Sequence, residues 1–190
     1  QHRFDQCVKK FGNAVLVFGD SHSVDLMNAF MANANRMHIV GIHQGGCRPH
    51  DVKKMCIYPQ VVEFAKRNAK NIDAVIYSQK GSYLLTGHRT LPILQDRIDL
   101  VANLLNEISS IPVPVIWVGP QWEPQFRVHT AIATLTPAPP GTYDYVRRSL
   151  KYISDVDAAI AETIVRRDLP ITYVSKIEIL GPLTNDDFLV

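Results

Sequence analysis

The chain contains 190 residues, of which 46% are hydrophobic and 20% are charged, and its formal net charge is +2. This length and composition indicate one globular domain with a substantial core. The lysines and arginines form no block that would indicate a nucleic-acid partner, and no apolar run is long enough to cross a membrane. Because the sequence starts at Gln1 without a signal peptide, we expect any targeting or anchoring segment to lie outside it.

Apolar, strand-like segments alternate with amphipathic, helix-like segments along the chain. Residues 1–12 are polar and are predicted to be a lead-in, with the domain itself over 13–190. Short apolar runs predict strands at 14–18, 38–42, 72–78, 113–118 and 171–174. Apolar residues at helical spacing predict helices at 23–34, 59–71, 90–109 and 143–167, with Thr90 as the cap of the third. Residues 79–89 and 119–141 are predicted to be loops, and no element is predicted after 174.

This alternation predicts an α/β fold, namely a flavodoxin-like three-layer αβα sandwich around a five-stranded parallel sheet. In such a fold the loops at the carboxyl ends of the strands gather along one crevice. Ser21, Gly46 and Gln79 follow the first three strands, and residues 121–126 follow the fourth. The functional site is therefore predicted at this edge of the sheet.

The first strand ends in Gly19-Asp20-Ser21, and a helix is predicted to begin directly afterwards. The first N–H groups of a helix have no intrahelical partners and carry partial positive charge, so a nucleophilic serine at this point has donors for an oxyanion. Asp20 and Ser21 are also favoured N-cap residues. Local chemistry alone therefore leaves a capping role and a catalytic role equally open.

The three cysteines are Cys7, Cys47 and Cys56. Cys47 and Cys56 are close together in a predicted loop, so a local disulfide is consistent with an oxidising compartment. Two reduced thiols in a cytosolic protein fit the same spacing.

The run Phe18-Gly19-Asp20-Ser21-His22-Ser23 after an apolar strand resembles the first motif of the SGNH hydrolases. The Gly-Asp-Ser-His-Ser form is typical of SGNH domains fused to, or working beside, membrane acyltransferase-3 proteins. The resemblance implies the same sheet architecture and a nucleophilic role for Ser21. It also favours the Cys47–Cys56 disulfide, which leaves Cys7 free or paired outside this sequence.

The chain departs from the family pattern in its acid–base residues. The resemblance implies a C-terminal Asp-x-x-His motif, but this sequence contains none, and all its histidines lie at or before His129. His22 corresponds to a motif residue rather than the base, and no histidine follows Asp186 or Asp187 at the required spacing. Either the sequence ends before the base or the triad is lost. We favour the first alternative and expect these 190 residues alone to be catalytically poor.

The resemblance also implies an oxyanion hole, which stabilises the negative charge on the reacting carbonyl oxygen. Its donors would be the Ser21 N–H, the Gly46 N–H, with Gly45 as the alternative glycine, and an asparagine after the third strand. The chain has Gln79 after that strand and no asparagine. The Gln79 amide is therefore a replacement donor or an ordinary exposed loop residue.

Trp122 and Arg48 are candidate substrate-binding residues. Trp122 offers a surface on which a sugar can stack or packs on its own domain, and Arg48 attracts an anionic glycan or is a solvated surface charge. His43, His50, His88 and His129 lie in predicted loops without the spacing of zinc ligands. We expect neither a metal nor another cofactor.

Together with these residues, the resemblance implies an exported domain that transfers an O-acyl group, most simply O-acetyl, to an envelope polysaccharide or removes one, through an acyl-serine. The implied partners are an acyl donor, a glycan acceptor and a membrane acyltransferase-3 domain, fused or separate. The implied location is periplasmic or extracellular, tethered to the inner membrane. A free-standing SGNH esterase and a non-catalytic glycan-binding domain are the alternatives.

Overall fold

The computed structural model describes residues 2–33, 37–50, 55–86, 90–121 and 142–181. Five strands form one sheet: β1 (Ala14–Gly19), β2 (His38–His43), β3 (Ile72–Ser78), β6 (Val115–Val118) and β7 (Thr172–Val174). Their order is β2-β1-β3-β6-β7, and every neighbouring pair is parallel. The predicted flavodoxin-like α/β sheet is confirmed. Two further strands, β4 (Leu85–Thr86) and β5 (Thr90–Ile93), form a separate antiparallel pair.

Six α-helices lie in the described residues: α1 (His2–Phe11), α2 (Ser21–Asn33), α3 (Tyr58–Asn68), α4 (Gln95–Ile108), α5 (Thr142–Arg166) and α6 (Lys176–Leu180). Successive side chains of a strand point to opposite faces of the sheet. Leu16 and Phe18 of β1 accordingly join the main core, which α3, α4 and α5 cover, whereas Val17 contacts the face that α2 covers. Because both faces are covered, β1 and β6 consist entirely of apolar residues and glycine.

The structure differs from the prediction at the N-terminus, where residues 1–12 were expected to be a lead-in without regular structure. Residues His2–Phe11 form α1 instead. Phe4 is buried on this helix, and its ring packs edge-on against Phe64 at 5.1 Å between centroids. The apolar positions Phe4, Val8 and Phe11 have helical spacing, but the many charges between them obscured that signal.

The prediction of a loop over 79–89 and a helix from Thr90 is also wrong. A single 3-10 turn, Gly81–Leu84, leads into β4, and β5 occupies the start of the predicted helix. Leu84 and Leu85 are buried, and the Leu94 N–H donates to the Leu84 carbonyl at 2.8 Å. The hairpin forms because these two leucines reach the core, which is a tertiary effect that local periodicity does not report.

After β7 the chain continues into α6, where no element was predicted. Ser175 caps this helix by accepting a hydrogen bond from the Glu178 N–H at 3.0 Å. Within the described part of the chain, no helix is both long enough and apolar enough to span a membrane.

Candidate active site

The ends of β1, β2 and β3 lie side by side. Gly19, the last residue of β1, is in register with His43 on one neighbouring strand and Ser78 on the other. The Gln44 N–H donates to the Gly19 carbonyl at 3.3 Å. The loops that contain Ser21, Gly46 and Gln79 therefore leave the sheet at adjacent points.

Gly19 allows the sharp turn from β1 into α2. Its φ is +143°, a region that other residues rarely adopt. A Cβ at this position would overlap the Ser78 carbonyl oxygen and lie 3.2 Å from the Ser23 Cβ. The glycine thus lets the backbone of the turn contact β3 directly, which brings the start of α2 to the edge of the sheet.

Asp20 is the residue that caps α2. Its side chain is almost fully buried, and Oδ1 accepts a hydrogen bond from the His22 N–H at 2.9 Å. Oδ2 accepts from the Lys80 N–H at 3.1 Å, which joins the exits of β1 and β3. Ser21 itself is exposed. Since the carboxylate of Asp20 makes the cap, the Ser21 hydroxyl is available to a ligand.

Ser23 and His43 form a hydrogen-bonded pair beneath this turn, a contact that sequence reasoning missed. The Ser23 hydroxyl donates to the Asp20 carbonyl at 2.7 Å, and His43 Nδ1 lies 2.7 Å from the same Oγ. Ser23 is completely buried, so it cannot act as the nucleophile. Burial lowers the pKa of His43 below its ordinary value. The pair could be identified from the register of β2 against β1, which places His43 opposite Gly19.

The loop after β2 is closed by the Cys47–Cys56 disulfide, whose Cα atoms are 5.7 Å apart. The predicted bridge is present, and Cys7 is a free, half-buried thiol. Gly46 precedes the bridge with φ of +70°, in a turn in which the Cys47 N–H donates to the Gln44 carbonyl at 3.1 Å. The disulfide therefore fixes the segment that carries the candidate oxyanion glycine.

Arg48 is not a solvated surface charge, because only 7% of it is exposed. Its guanidinium carbon lies 3.0 Å from the centroid of the Tyr83 ring, and its Nε lies 3.7 Å from Asp20 Oδ2. Stacking on an aromatic face and a nearby carboxylate both favour a buried guanidinium. Arg48 consequently links the β2 loop, the Gly81–Leu84 turn and the cap of α2.

Gln79 is not an exposed loop residue either, because only 3% of it is accessible. Its Oε1 accepts a hydrogen bond from the Tyr77 hydroxyl at 2.6 Å, which orients the amide. Burial raises the pKa of Tyr77 well above its ordinary value, so the phenol remains a donor. Among the described residues, Gln79 Nε2 has no acceptor. A buried donor without a partner is rare and costs about 1–3 kcal/mol, which marks this amide as a candidate functional group.

A second buried polar cluster, also missed by the sequence analysis, lies at the ends of β6 and β7. The Asp157 carboxylate accepts hydrogen bonds from the hydroxyls of Tyr173 and Ser175, the latter at 2.6 Å. Gly119 lies against this cluster, since a Cβ there would overlap the Tyr173 hydroxyl. Burial and the Asp157 hydrogen bond raise the pKa of Tyr173. The cluster fixes the chain where it leaves the last strand.

Several predicted residues lie outside the described part of the chain, namely Trp122, His88 and His129. Within the described ranges, no hydrogen bond joins the Ser21 hydroxyl to a histidine. His22 Nδ1 is buried there without a hydrogen-bond partner. The structure therefore brings the exits that carry Ser21, Gly46 and Gln79 together, and adds Arg48 beside them.

A family model described as "SGNH domain (fused to AT3 domains)" matches residues 1–175. The chain belongs to this SGNH family. The resemblance noted in the sequence is thereby confirmed, and the SGNH domain belongs with esterase- and acyltransferase-type domains associated with membrane acyltransferase-3 proteins.

No curated protein matches this SGNH domain. Among solved structures, a GDP-L-fucose synthetase from Naegleria fowleri aligns with 11% identity and a TM-score of 0.35, covering 86% of this chain and 48% of that one. The SGNH domain thus spans about half of the synthetase chain. A likeness at this level supports no inference about function.

Proposed function

We propose that Ser21 is the nucleophile of an acyl-transfer reaction and forms an acyl-serine intermediate. The observation that carries the proposal is that different residues cap α2 and present a hydroxyl at its start. The Asp20 side chain caps the helix, while Ser21 stays exposed at its first position. Attack of Ser21 Oγ on an acyl carbonyl forms the new C–O bond and expels the donor's leaving group, and an acceptor hydroxyl or water then takes the acyl group.

Three N–H donors are proposed to stabilise the tetrahedral oxyanion: the backbone N–H groups of Ser21 and Gly46, and Nε2 of Gln79. The partial positive charge at the N-terminus of α2 adds to their effect. Gln79 supports this assignment because its amide is buried and oriented by Tyr77, with Nε2 left without an acceptor among the described residues.

Serine attacks efficiently only when a base accepts its proton. The Asp-x-x-His pair of the family does not occur in residues 1–190. The acid–base role is therefore not assigned to a residue of this chain, and the test below uses the protein expressed from its complete reading frame.

We further propose that the domain works outside the cytoplasm on an envelope polysaccharide, with a membrane acyltransferase-3 domain delivering the acyl group, most simply acetyl. The family's fusion to AT3 domains supports the partner. The Cys47–Cys56 disulfide supports an oxidising compartment. Arg48 and Trp122 remain the proposed substrate-binding residues.

A non-catalytic glycan-binding domain is the second candidate, and it is consistent with residues 1–190 containing no Asp-x-x-His pair. The two candidates differ in whether a covalent intermediate forms. A binding domain retains glycan without ever carrying an acyl group on Ser21.

The test incubates the complete protein with p-nitrophenyl acetate, with and without a hydroxyl-bearing oligosaccharide of the envelope polysaccharide. We expect acetylated oligosaccharide in the mass spectrum, none with Ser21→Ala, and an unchanged yield with Ser110→Ala, an exposed serine distant in sequence. If p-nitrophenyl acetate is hydrolysed rapidly and the oligosaccharide receives no acetyl group, the result contradicts transfer and favours an esterase. Oligosaccharide binding without turnover contradicts catalysis altogether.

A further inference from the structure

We propose that Ser23 and His43 are positioning residues that orient the peptide between Asp20 and Ser21, so that the Ser21 N–H points into the crevice as an oxyanion donor. The proposal rests on the proposed function of Ser21 and adds to it two residues that never touch the substrate.

The hydrogen bonds around the Ser23 hydroxyl have one consistent direction. A serine hydroxyl has one proton to donate, and that of Ser23 lies between two groups at 2.7 Å, the Asp20 carbonyl and His43 Nδ1. A carbonyl oxygen can only accept. Both short contacts are satisfied when His43 Nδ1–H donates to Ser23 Oγ and the Ser23 hydroxyl donates to the Asp20 carbonyl.

These hydrogen bonds fix the plane of the peptide between Asp20 and Ser21. In a trans peptide the C=O and N–H bonds point in opposite directions. The Asp20 carbonyl is held towards the buried Ser23 hydroxyl, and it also accepts from the Ser23 N–H at 3.1 Å. The N–H of Ser21 must therefore point away from Ser23, towards the N-terminal end of α2.

Two N–H donors in the first turn of α2 have acceptors on Asp20. Asp20 Oδ1 takes the His22 N–H, and the Asp20 carbonyl takes the Ser23 N–H. Among the described residues, the Ser21 N–H is the donor of this turn with no hydrogen-bonded acceptor. The network thus leaves one oriented N–H next to the exposed hydroxyl.

The His43 ring lies between Ser23 and Met27. Its Nε2 lies 3.4 Å from the Met27 sulfur, and a Cβ on Gly41 would overlap both of these atoms. A thioether is a weak acceptor, so little is lost when Nε2 carries no proton. Because burial lowers the pKa of His43, the ring is neutral at pH 7, and the hydrogen bond to Ser23 selects the tautomer with the proton on Nδ1.

The first test needs no variant. Nitrogen-15 NMR of the histidine side chains distinguishes the two neutral tautomers. We expect His43 to carry its proton on Nδ1 at pH 7.5, and a proton on Nε2 instead would overturn the proposal. This readout does not depend on catalysis, so it separates failure of the positioning network from failure of the proposed function.

The second test compares His43→Asn with His43→Gln. The amide nitrogen of asparagine lies close to the position of Nδ1, whereas that of glutamine corresponds to Nε2. We expect His43→Gln and Ser23→Ala to lower the rate constant for acylation by p-nitrophenyl acetate about 100-fold with little change in KM, because a misplaced donor affects the transition state rather than ester binding. His43→Asn should keep most of the wild-type rate constant, because the asparagine amide nitrogen can replace Nδ1. Equal rates in the wild type and folded Ser23→Ala would contradict the proposal.

Discussion

Replacing Gln79 with methionine tests whether its amide serves catalysis or structure. Methionine has a similar length and no hydrogen-bond donor, so it fills the site without replacing Nε2. In the wild type, Gln79 Nε2 is buried without an acceptor among the described residues, whereas Oε1 accepts from the Tyr77 hydroxyl at 2.6 Å. The substitution removes the unpaired donor and leaves the Tyr77 hydroxyl without its acceptor.

These two effects oppose each other in the free energy of unfolding. Removing an unpaired buried donor stabilises the fold by about 1–3 kcal/mol, and leaving a buried hydroxyl unpaired destabilises it by about the same amount. We expect Gln79→Met to change the free energy of unfolding by less than about 1 kcal/mol, and the Tyr77→Phe/Gln79→Met double variant to be at least as stable as the wild type. Loss of one oxyanion donor should slow acylation about 100- to 1000-fold in both.

Urea denaturation measures the stability, and stopped-flow release of p-nitrophenol from p-nitrophenyl acetate measures acylation of the complete protein. Tyr77→Phe alone is the comparison variant, since it keeps Nε2 but removes the hydroxyl that orients the amide. An acylation rate for Gln79→Met within about threefold of the wild type would refute the role of Nε2, because a lost oxyanion donor has a much larger effect. A loss of more than about 3 kcal/mol in stability would instead show that Gln79 is structural.

Three further predictions concern stability. Gly19→Ala should lower the free energy of unfolding by about 2–6 kcal/mol in urea titrations, since it adds backbone strain and overlap with the Ser78 carbonyl, and an unchanged midpoint would contradict this geometry. Replacing Cys47 and Cys56 with serine should cost about 2–3 kcal/mol because the bridge closes a short loop, and reducing the wild type should cause the same loss. Burial lowers the pKa of His43 in the folded state below its ordinary value of 6.5. The neutral His43 side chain therefore makes its full contribution to the free energy of unfolding above pH 6.5, and this contribution is lost as the pH falls towards the folded-state pKa. Thermal melts between pH 4 and 8 should show this decline, with a smaller slope in His43→Asn; equal slopes would exclude His43 as its source.

The sheet and the turn that carries Ser21, the proposed nucleophile, could be predicted from the sequence because both depend on local patterns. A short apolar run rich in β-branched residues, such as Ile72–Ser78, favours a strand that is covered on both faces. The Gly19-Asp20-Ser21 turn combines a required glycine with a favoured cap. These signals need no knowledge of distant residues.

The remaining features depend on tertiary contacts that the sequence does not report. The sequence does not decide the role of Gln79, because its burial depends on the Tyr77 hydroxyl. It does not decide the role of Arg48 either, because the partners of Arg48 are Tyr83 and Asp20. The Ser23–His43 pair depends on the register between two strands. Periodicity within one segment indicates which face is apolar, but it does not indicate which polar groups meet across the sheet edge.

The most direct test of the account is to locate the acyl group on the complete protein. Acid-quenched protein from a reaction with p-nitrophenyl acetate is digested, and the acetylated peptide containing residues 14–33 is sequenced by tandem mass spectrometry. The account predicts acetyl on Ser21 and not on the buried Ser23, with loss of the adduct in Ser21→Ala. Acetyl on another residue, or no adduct on folded protein, would contradict the assignment of Ser21 as the nucleophile.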